Sequence, residues 1–489
     1  MPVREKSTLL CGEIAFRRGN CHFKNPGCGG QWIEPQKDAS EPVRDWLKRW
    51  ASYNEILCDT GRILENKTEE KQSRWEMERA VNDKVNYKKG YKNEILRLIY
   101  LCGLVPCSSL RVLRKDPRMY QRAVKVMEKE GIVIVDKKGG ERNIRLLNRR
   151  ENKRKYEFCL PTEYIDYYEK VAYQCFVKRL SARSNTGTAL SAIHSSAAKI
   201  LMYAAGVDIT PDKRDIRTEM IKDEDILYYD SVEIKSAFDY RDKAVTSKEV
   251  SGTASKKLQN SRINGVLISP GGVYAVYNIG RSLIKCKYFG EVKMATYITH
   301  MARRRSEAEV SVNMPREAII ISRRTELFTK ICSKEPESRR EESISSLGFV
   351  YDRLYAVPED RDGVLMLCMM KEKSWRKRIF DSILKNSEQE DSRYVSVCCD
   401  GYDKENGIYK QVFCVPDLVK LNRFVKRAGL ERGKSKFIIY CFTCQEAYVA
   451  QIVGKEEIAV MSMPIELFYN KFFCKCSNPG HYVRGRNDN

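Results

Sequence analysis

Four cations, Arg118, Arg122, Lys125 and Lys129, stand four, three and four residues apart, the spacing that lines one face of an α-helix. A few residues on, Lys137, Lys138 and Arg142 flank the dipeptide Gly139-Gly140. Guanidinium and ammonium groups have no lone pair for a metal and, at ordinary pKa, exchange few protons near neutrality. Their chemistry is the neutralisation of anions, and a row of them suits a polymer of regularly spaced phosphates. The charge balance points the same way. The chain of 489 residues carries 88 Lys+Arg against 65 Asp+Glu, a net of +23. Between Lys84 and Lys155, 21 Lys+Arg face 7 Asp+Glu, a net of +14, so this short span holds over half of the excess. A helix face that is merely solvated mixes both signs.

Other chemistry is poorly provided for. Cys11, Cys21, His22 and Cys28 bear zinc-capable atoms, but their intervals match no common knuckle or ribbon. Cys474, Cys476 and His481 make three ligands without a neighbouring fourth. Cys441 and Cys444 form a Cys-x-x-Cys inside an apolar run and read as core thiols. There are four histidines, and His194, beside an apolar helix face, reads as packed and not as a base. Glycine-rich phosphate loops are absent, so no ATP-driven function is expected, and neither a cofactor nor a metal site is assigned. A metal-dependent nuclease needs an acid ahead of one strand and an acid, a spacer and an acid or lysine on the next. The hairpin at 263–278 has that shape, but Asn264, Val276 and Asn278 stand in those places, so no catalytic residue is assigned. Glu291-Val292-Lys293, and Glu233-Ile234-Lys235 near Asp230, are the remaining material for such a site.

The basic rows need elements to hold them. Ile95, Leu98, Ile99 and Cys102 predict a first helix closed by Gly103, and Ser108–Leu113 a short second one. Asp116-Pro117, a cap followed by proline at the first helical position, opens a third helix, which Gly131 stops. Its apolar face is Tyr120, Ala123, Val124 and Met127; its other face carries the four cations. A strand from Ile132 to Val135, a turn at Lys137–Gly140 and a strand from Asn143 to Leu147 complete a winged helix-turn-helix.

Around this module the chain reads as α/β overall. Residues 1–90 form an irregular and helical N-terminal segment, and 91–155 the winged helix DNA-binding domain. An α/β domain follows at 156–332, then a C-terminal α/β region at 347–473 and a tail at 474–489. After a helix with Leu190, Ile193, Ala197, Ile200, Leu201 and Ala204 on one face, strand–helix alternation sets in at Ile226. A strand entering a helix is expected at 226–234, strands at 263–269, 273–278, 318–322, 349–357, 364–370, 394–399, 412–415, 437–441 and 458–461, and a helix from Asp417. Hydrophobic residues at 42% allow sizeable cores. No run of 18 apolar residues occurs, so nothing spans a membrane. Eighteen cysteines, several in apolar runs, suit reduced thiols in the cytoplasm.

The module followed by Ser261-Arg262-Ile263-Asn264-Gly265-Val266-Leu267 and Val273-Tyr274-Ala275-Val276-Tyr277-Asn278 resembles the replication-relaxation family of Gram-positive plasmids and integrative conjugative elements. The resemblance covers about residues 90–300. It implies an N-terminal winged helix joined to a restriction-endonuclease-like domain, acting in replication and DNA relaxation of the element. Where that family carries Pro-Asp this chain has Ile263-Asn264, and where it carries acid, spacer, acid it has Val276-Tyr277-Asn278. The implied core is therefore degenerate, and DNA binding carries over without nuclease activity. The expectation is an accessory protein of a mobile element, bound to double-stranded DNA and working with replication or transfer proteins of that element. The alternatives are a nicking enzyme built on Glu291, Lys293 and Asp230, a winged-helix transcriptional regulator, and a protein–protein adaptor.

Overall fold

The computed structural model describes residues 13–17, 20–24, 32–33, 90–113, 115–147, 186–210, 224–235, 261–305, 315–333, 344–384, 399–431, 433 and 435–474. The chain divides into two compact units, Met1–Asp83 and Lys84–Asn489. In the first, β1 (Glu13–Arg17), β2 (Asn20–Lys24) and β3 (Trp32–Ile33) pair antiparallel in that order. These strands replace the irregular lead-in. Ile14 and Phe16 alternate with Glu13 and Arg17, and Arg17 pairs with Asn20 across two residues, the commonest hairpin connection. The helical stretch expected after Glu41 lies outside the described residues.

The second unit begins with α1 (Tyr91–Cys102), a two-residue strand β4 (Val105–Pro106), a 3-10 helix at Cys107–Val112 and α2 (Pro117–Lys129). The antiparallel hairpin β5 (Val133–Lys138) and β6 (Glu141–Leu146) follows. Local signals set these boundaries. Gly103 takes φ 78° and its N–H returns to the Ile99 carbonyl, while the Asp116 side chain accepts from the Arg118 N–H. β6 lies between β4 and β5. The turn is shorter than the spacing suggests. Gly139 and Gly140 alone make it, at φ 58° and 78°, so Lys137 and Lys138 are the last residues of β5 and Lys138 pairs with Glu141.

After α3 (Thr186–Ala204) comes a five-stranded sheet. Its strands are β7 (Leu227–Asp230), β8 (Gly265–Ser269), β9 (Gly272–Gly280), β10 (Glu317–Ser322) and β11 (Arg353–Pro358), in the order β11-β10-β9-β8-β7. β7, β8 and β9 run antiparallel to their neighbours in that meander; β9, β10 and β11 run parallel. The parallel connections pass through α4 (Tyr288–Arg305) and α5 (Glu326–Ser333). Both faces are covered, which is why these strands are apolar along their middles, with polar residues at or near their ends. Leu267, Tyr274, Val276, Ile319 and Tyr355 face one core together with α1 and α3. Val266, Ala275, Tyr277, Ile320 and Ala356 face a second core with α4 and α5.

Helices α6 (Arg361–Met370) and α7 (Trp375–Ile383) lead to a second sheet. It contains β12 (Gly401–Asp403), β13 (Ile408–Val412), β14 (Lys436–Phe442) and β15 (Ile458–Met463), adjacent in that order, with β13, β14 and β15 parallel. α8 (Leu418–Leu430) and α9 (Thr443–Val453) connect them, and α10 (Ile465–Phe472) follows. α6 corrects the strand expected at Val364–Met370. Seven consecutive apolar residues carry no period, and the Asp360 side chain, accepting from the Gly363 N–H, starts a helix there. Phe349 likewise ends a 3-10 helix at Ile344–Phe349, and the strand begins only at Arg353. Among the described residues no helix is long and apolar enough to cross a membrane. The fold is mixed α/β.

Candidate nucleic-acid interface

Arg118, Arg122, Lys125 and Lys129 on α2, and Lys137, Lys138 and Arg142 on the hairpin, are all exposed. The acids of the same stretch are occupied elsewhere. Glu94 accepts from the hydroxyls of Tyr120 at 2.6 Å and Tyr203 at 3.2 Å and pairs with Lys115. Asp116 caps α2, Glu128 accepts from the Val135 N–H, Glu130 pairs with Lys92, and Asp136 with Arg145. Glu141 meets Arg323 and lies 3.7 Å from Arg281. Every carboxylate between residues 91 and 147 thus has a partner, and none is paired with the charged group of one of the seven cations. Those seven make no ion pair among the described residues. Their charge faces solvent uncompensated.

The hairpin does not stand free. A Cβ on Gly139 would lie 3.0 Å from Leu190 and 3.1 Å from Ile193, so the turn is seated on α3. Beside it, Glu141 grips Arg323, whose side chain is 5% exposed and whose Nε donates to Glu359 at 2.6 Å. Inside the turn, Asn143 donates to the carbonyls of Lys138 and Glu141. Above it, the Ser196 hydroxyl donates to the Leu104 carbonyl at 2.5 Å. Arg111 donates to the Glu359 carbonyl at 3.1 Å. The apolar core of α1 and α2 continues without a break into α3.

A chain of polar contacts runs from this latch into the sheet. Glu359 accepts from Asn278 Nδ2 at 3.2 Å, and the same amide nitrogen donates to the His194 carbonyl. Asn278 N donates to Asn264 Oδ1 at 2.6 Å, and Asn264 Nδ2 donates to the Ser195 hydroxyl at 2.9 Å. Asn264 and Asn278 thus do meet, at the head of β8 and on β9, and each spends its amide on the fold. Val276 is in the apolar core. Neutral amides bring no charge to a cation, and the one carboxylate in this chain, Glu359, is answered by a guanidinium. His194 packs over Gly280, and burial pulls its imidazole down to about 4.

The remaining candidates are separate. Glu291 lies on helix α4, not on a strand, and accepts from Ser261, Tyr277 and the Arg262 N–H; burial pushes its carboxyl up. Asp230 pairs with buried Lys199 at 3.1 Å and accepts from the Val232 and Glu233 N–H groups. Burial pushes the Cys441 thiol up to about 12 and raises Cys444 as well, the mark of inert core sulfur. Among the described residues no three His, Cys, Asp or Glu side chains converge as a metal site would need. Cys21 and His22 fall in β2; Cys11, Cys28, Cys476 and His481 lie outside the described residues. A cavity of about 230 Å³ opens between β9, α4 and Arg376, where Glu317 is clamped by Arg353 and Arg376. Sequence reasoning missed Arg323, Glu359 and Glu141, because a charged residue in a sequence reads as solvated until its distant partner is known.

The chain matches no family model, no curated protein and no solved structure.

Proposed function

We propose that residues 91–147 are a winged helix that binds double-stranded DNA, within an accessory protein of a mobile genetic element that acts in its replication, relaxation or transfer. The observation that carries this reading is the segregation of charge. Seven exposed cations on α2 and the hairpin are left without acids, while six acids of the same stretch are used internally. α2 enters the major groove with Arg118, Arg122 and Lys125 towards the bases, and Lys129, Lys137, Lys138 and Arg142 meet phosphates. We infer that the succession α3, β7, β8, β9, α4, β10 is a degenerate restriction-endonuclease-like core that serves as a scaffold. The replication-relaxation family remains the reading that joins both halves.

The test uses the full chain, because the module shares its core with α3. Anisotropy of a labelled duplex should show log K falling with log salt at a slope of roughly −4 to −5, for about four to six phosphates neutralised. Arg118→Ala/Arg122→Ala should weaken binding at least tenfold. No binding at low salt, or a slope near zero, would sink the proposal in favour of a protein–protein adaptor.

A further inference from the structure

The stretch that leaves β9 and enters the first turn of α4, Arg281-Ser282-Leu283-Ile284-Lys285-Cys286-Lys287-Tyr288-Phe289, contains no acid. Its end bears an anomaly. Phe289, in the first turn of α4, is 73% exposed, with Tyr288 edge-on at 5.4 Å between ring centroids. A phenyl ring left in water forgoes the stabilisation that burial brings, and a single exposed ring is common enough on a protein surface. This one stands in particular company. Arg262 is exposed and is held on both sides of Phe289 in the sequence: its Nε donates to the Lys285 carbonyl at 3.3 Å, and its N–H donates to Glu291, two residues past the ring, at 2.7 Å. Lys285 and Arg281 are exposed too. Glu291, the one acid from Arg281 to Lys293, is turned inward onto Ser261 and Tyr277 and does not offset them at the surface. Arg281 also reaches towards Glu141 at 3.7 Å, so the patch lies next to the β5–β6 hairpin.

An outward aromatic ring on a segment that carries exposed cations offers two interactions together: a flat apolar face and neutralising charge. A duplex hides the faces of its bases and shows only its edges and phosphates. Unpaired bases expose their faces and stack on such rings, while lysine and arginine hold the backbone. We propose that Phe289, with Arg262, Arg281 and Lys285, forms a second site that takes single-stranded DNA, beside the hairpin and distinct from the face of α2. The proposal extends the DNA-binding reading and rests on it for the choice of polymer. It places a duplex and an unpaired strand on one protein, the geometry of a locally opened origin or a nicked junction.

Full-length protein should be titrated into labelled oligothymidylate of about 20 bases, and in parallel into duplex. Phe289→Ala should weaken oligothymidylate binding by about 5- to 150-fold, the equivalent of about 1–3 kcal/mol per stacked base, and leave duplex binding unchanged. Phe289→Trp should keep the affinity, and its added indole emission should be quenched by the oligonucleotide. Arg118→Ala/Arg122→Ala should do the converse, losing duplex and keeping the single strand. If that double variant binds duplex normally while Phe289→Ala still loses oligothymidylate, the α2 reading fails and this one stands. The proposal is overturned if wild type does not bind oligothymidylate or Phe289→Ala binds it equally well. It is also overturned if Phe289→Ala loses both ligands together with a lowered Tm. Sedimentation with phosphatidylserine vesicles that depends on Phe289, without such dependence for oligothymidylate, would assign the patch to a lipid surface instead.

Discussion

Two side chains of the basic face differ in what they are able to read. Arg122 stands one turn from Arg118 on the outer face of α2, and a guanidinium pairs bidentately with guanine, worth about 1–3 kcal/mol against a wrong base. Lys138 ends β5 beside a turn seated on α3, where an ammonium on a long stem suits phosphate. In a selected-site experiment at fixed salt, Arg122→Ala should flatten the preference among sequences. Lys138→Ala should weaken all sequences alike. Uniform loss in both would mean that α2 grips the backbone only. His194 offers a second test, through pH. Its folded pKa of about 4 lies below the ordinary value of 6.5, so above pH 6.5 both states are neutral and its contribution is complete. As pH falls from 6.5 towards 4 the unfolded chain takes up the proton first, and stability is lost, about 2 kcal/mol of it by pH 5. Urea unfolding at pH 7.5 and pH 5 should therefore show a smaller loss in His194→Gln than in wild type. An equal loss in the two proteins would count against a neutral, buried imidazole.

The hairpin is tied to α3 through one of its two turn glycines. Gly139 and Gly140 both sit at positive φ, where an alanine costs about 1 kcal/mol, but only Gly139 has neighbours within reach of a Cβ. Gly139→Ala should thus destabilise clearly more than Gly140→Ala in urea titrations; equal costs would mean that the turn is not seated. Arg323→Met removes the guanidinium shared by Glu141 and Glu359 and should cost about 3–5 kcal/mol, since two carboxylates are left in poor solvent. The elements of this region differ in how far the sequence foretells them. α2 is legible because Asp116-Pro117 and Gly131 are local punctuation and its apolar residues keep one period. The β8–β9 hairpin is legible from its Pro270-Gly271-Gly272 turn. α6 is not, because Val364–Met370 is apolar at every position and only the Asp360 cap tells helix from strand. Neither is the latch, since Glu141 and Arg323 are far apart in the chain and each alone reads as a surface charge. Phe289 is hidden for a related reason: an aromatic at the head of a helix looks like core until its surroundings are known.

For the molecule as a whole, the amides at Asn264 and Asn278 and the inward engagement of Glu291 and Asp230 lead to a plain expectation. Supercoiled plasmid incubated with the full chain in Mg²⁺ or Mn²⁺ should stay intact, and Glu291→Gln should behave as wild type. Nicking by wild type that disappears in Glu291→Gln would restore the enzyme reading. The shared core of α1, α2 and α3 has a further consequence, for the order in which the chain is made. The last strand of the hairpin ends at Leu146, but its seat, Leu190 and Ile193, is encoded more than forty residues later. At about 5–20 residues per second, roughly two to nine seconds of translation separate them. Throughout that interval the growing polypeptide displays its most basic stretch with an apolar flank still bare, next to a ribosome made largely of RNA. Completion of α3 is the event that ends this exposure, so slow codons between 147 and 190 should lower the yield of soluble protein more than slow codons after 204.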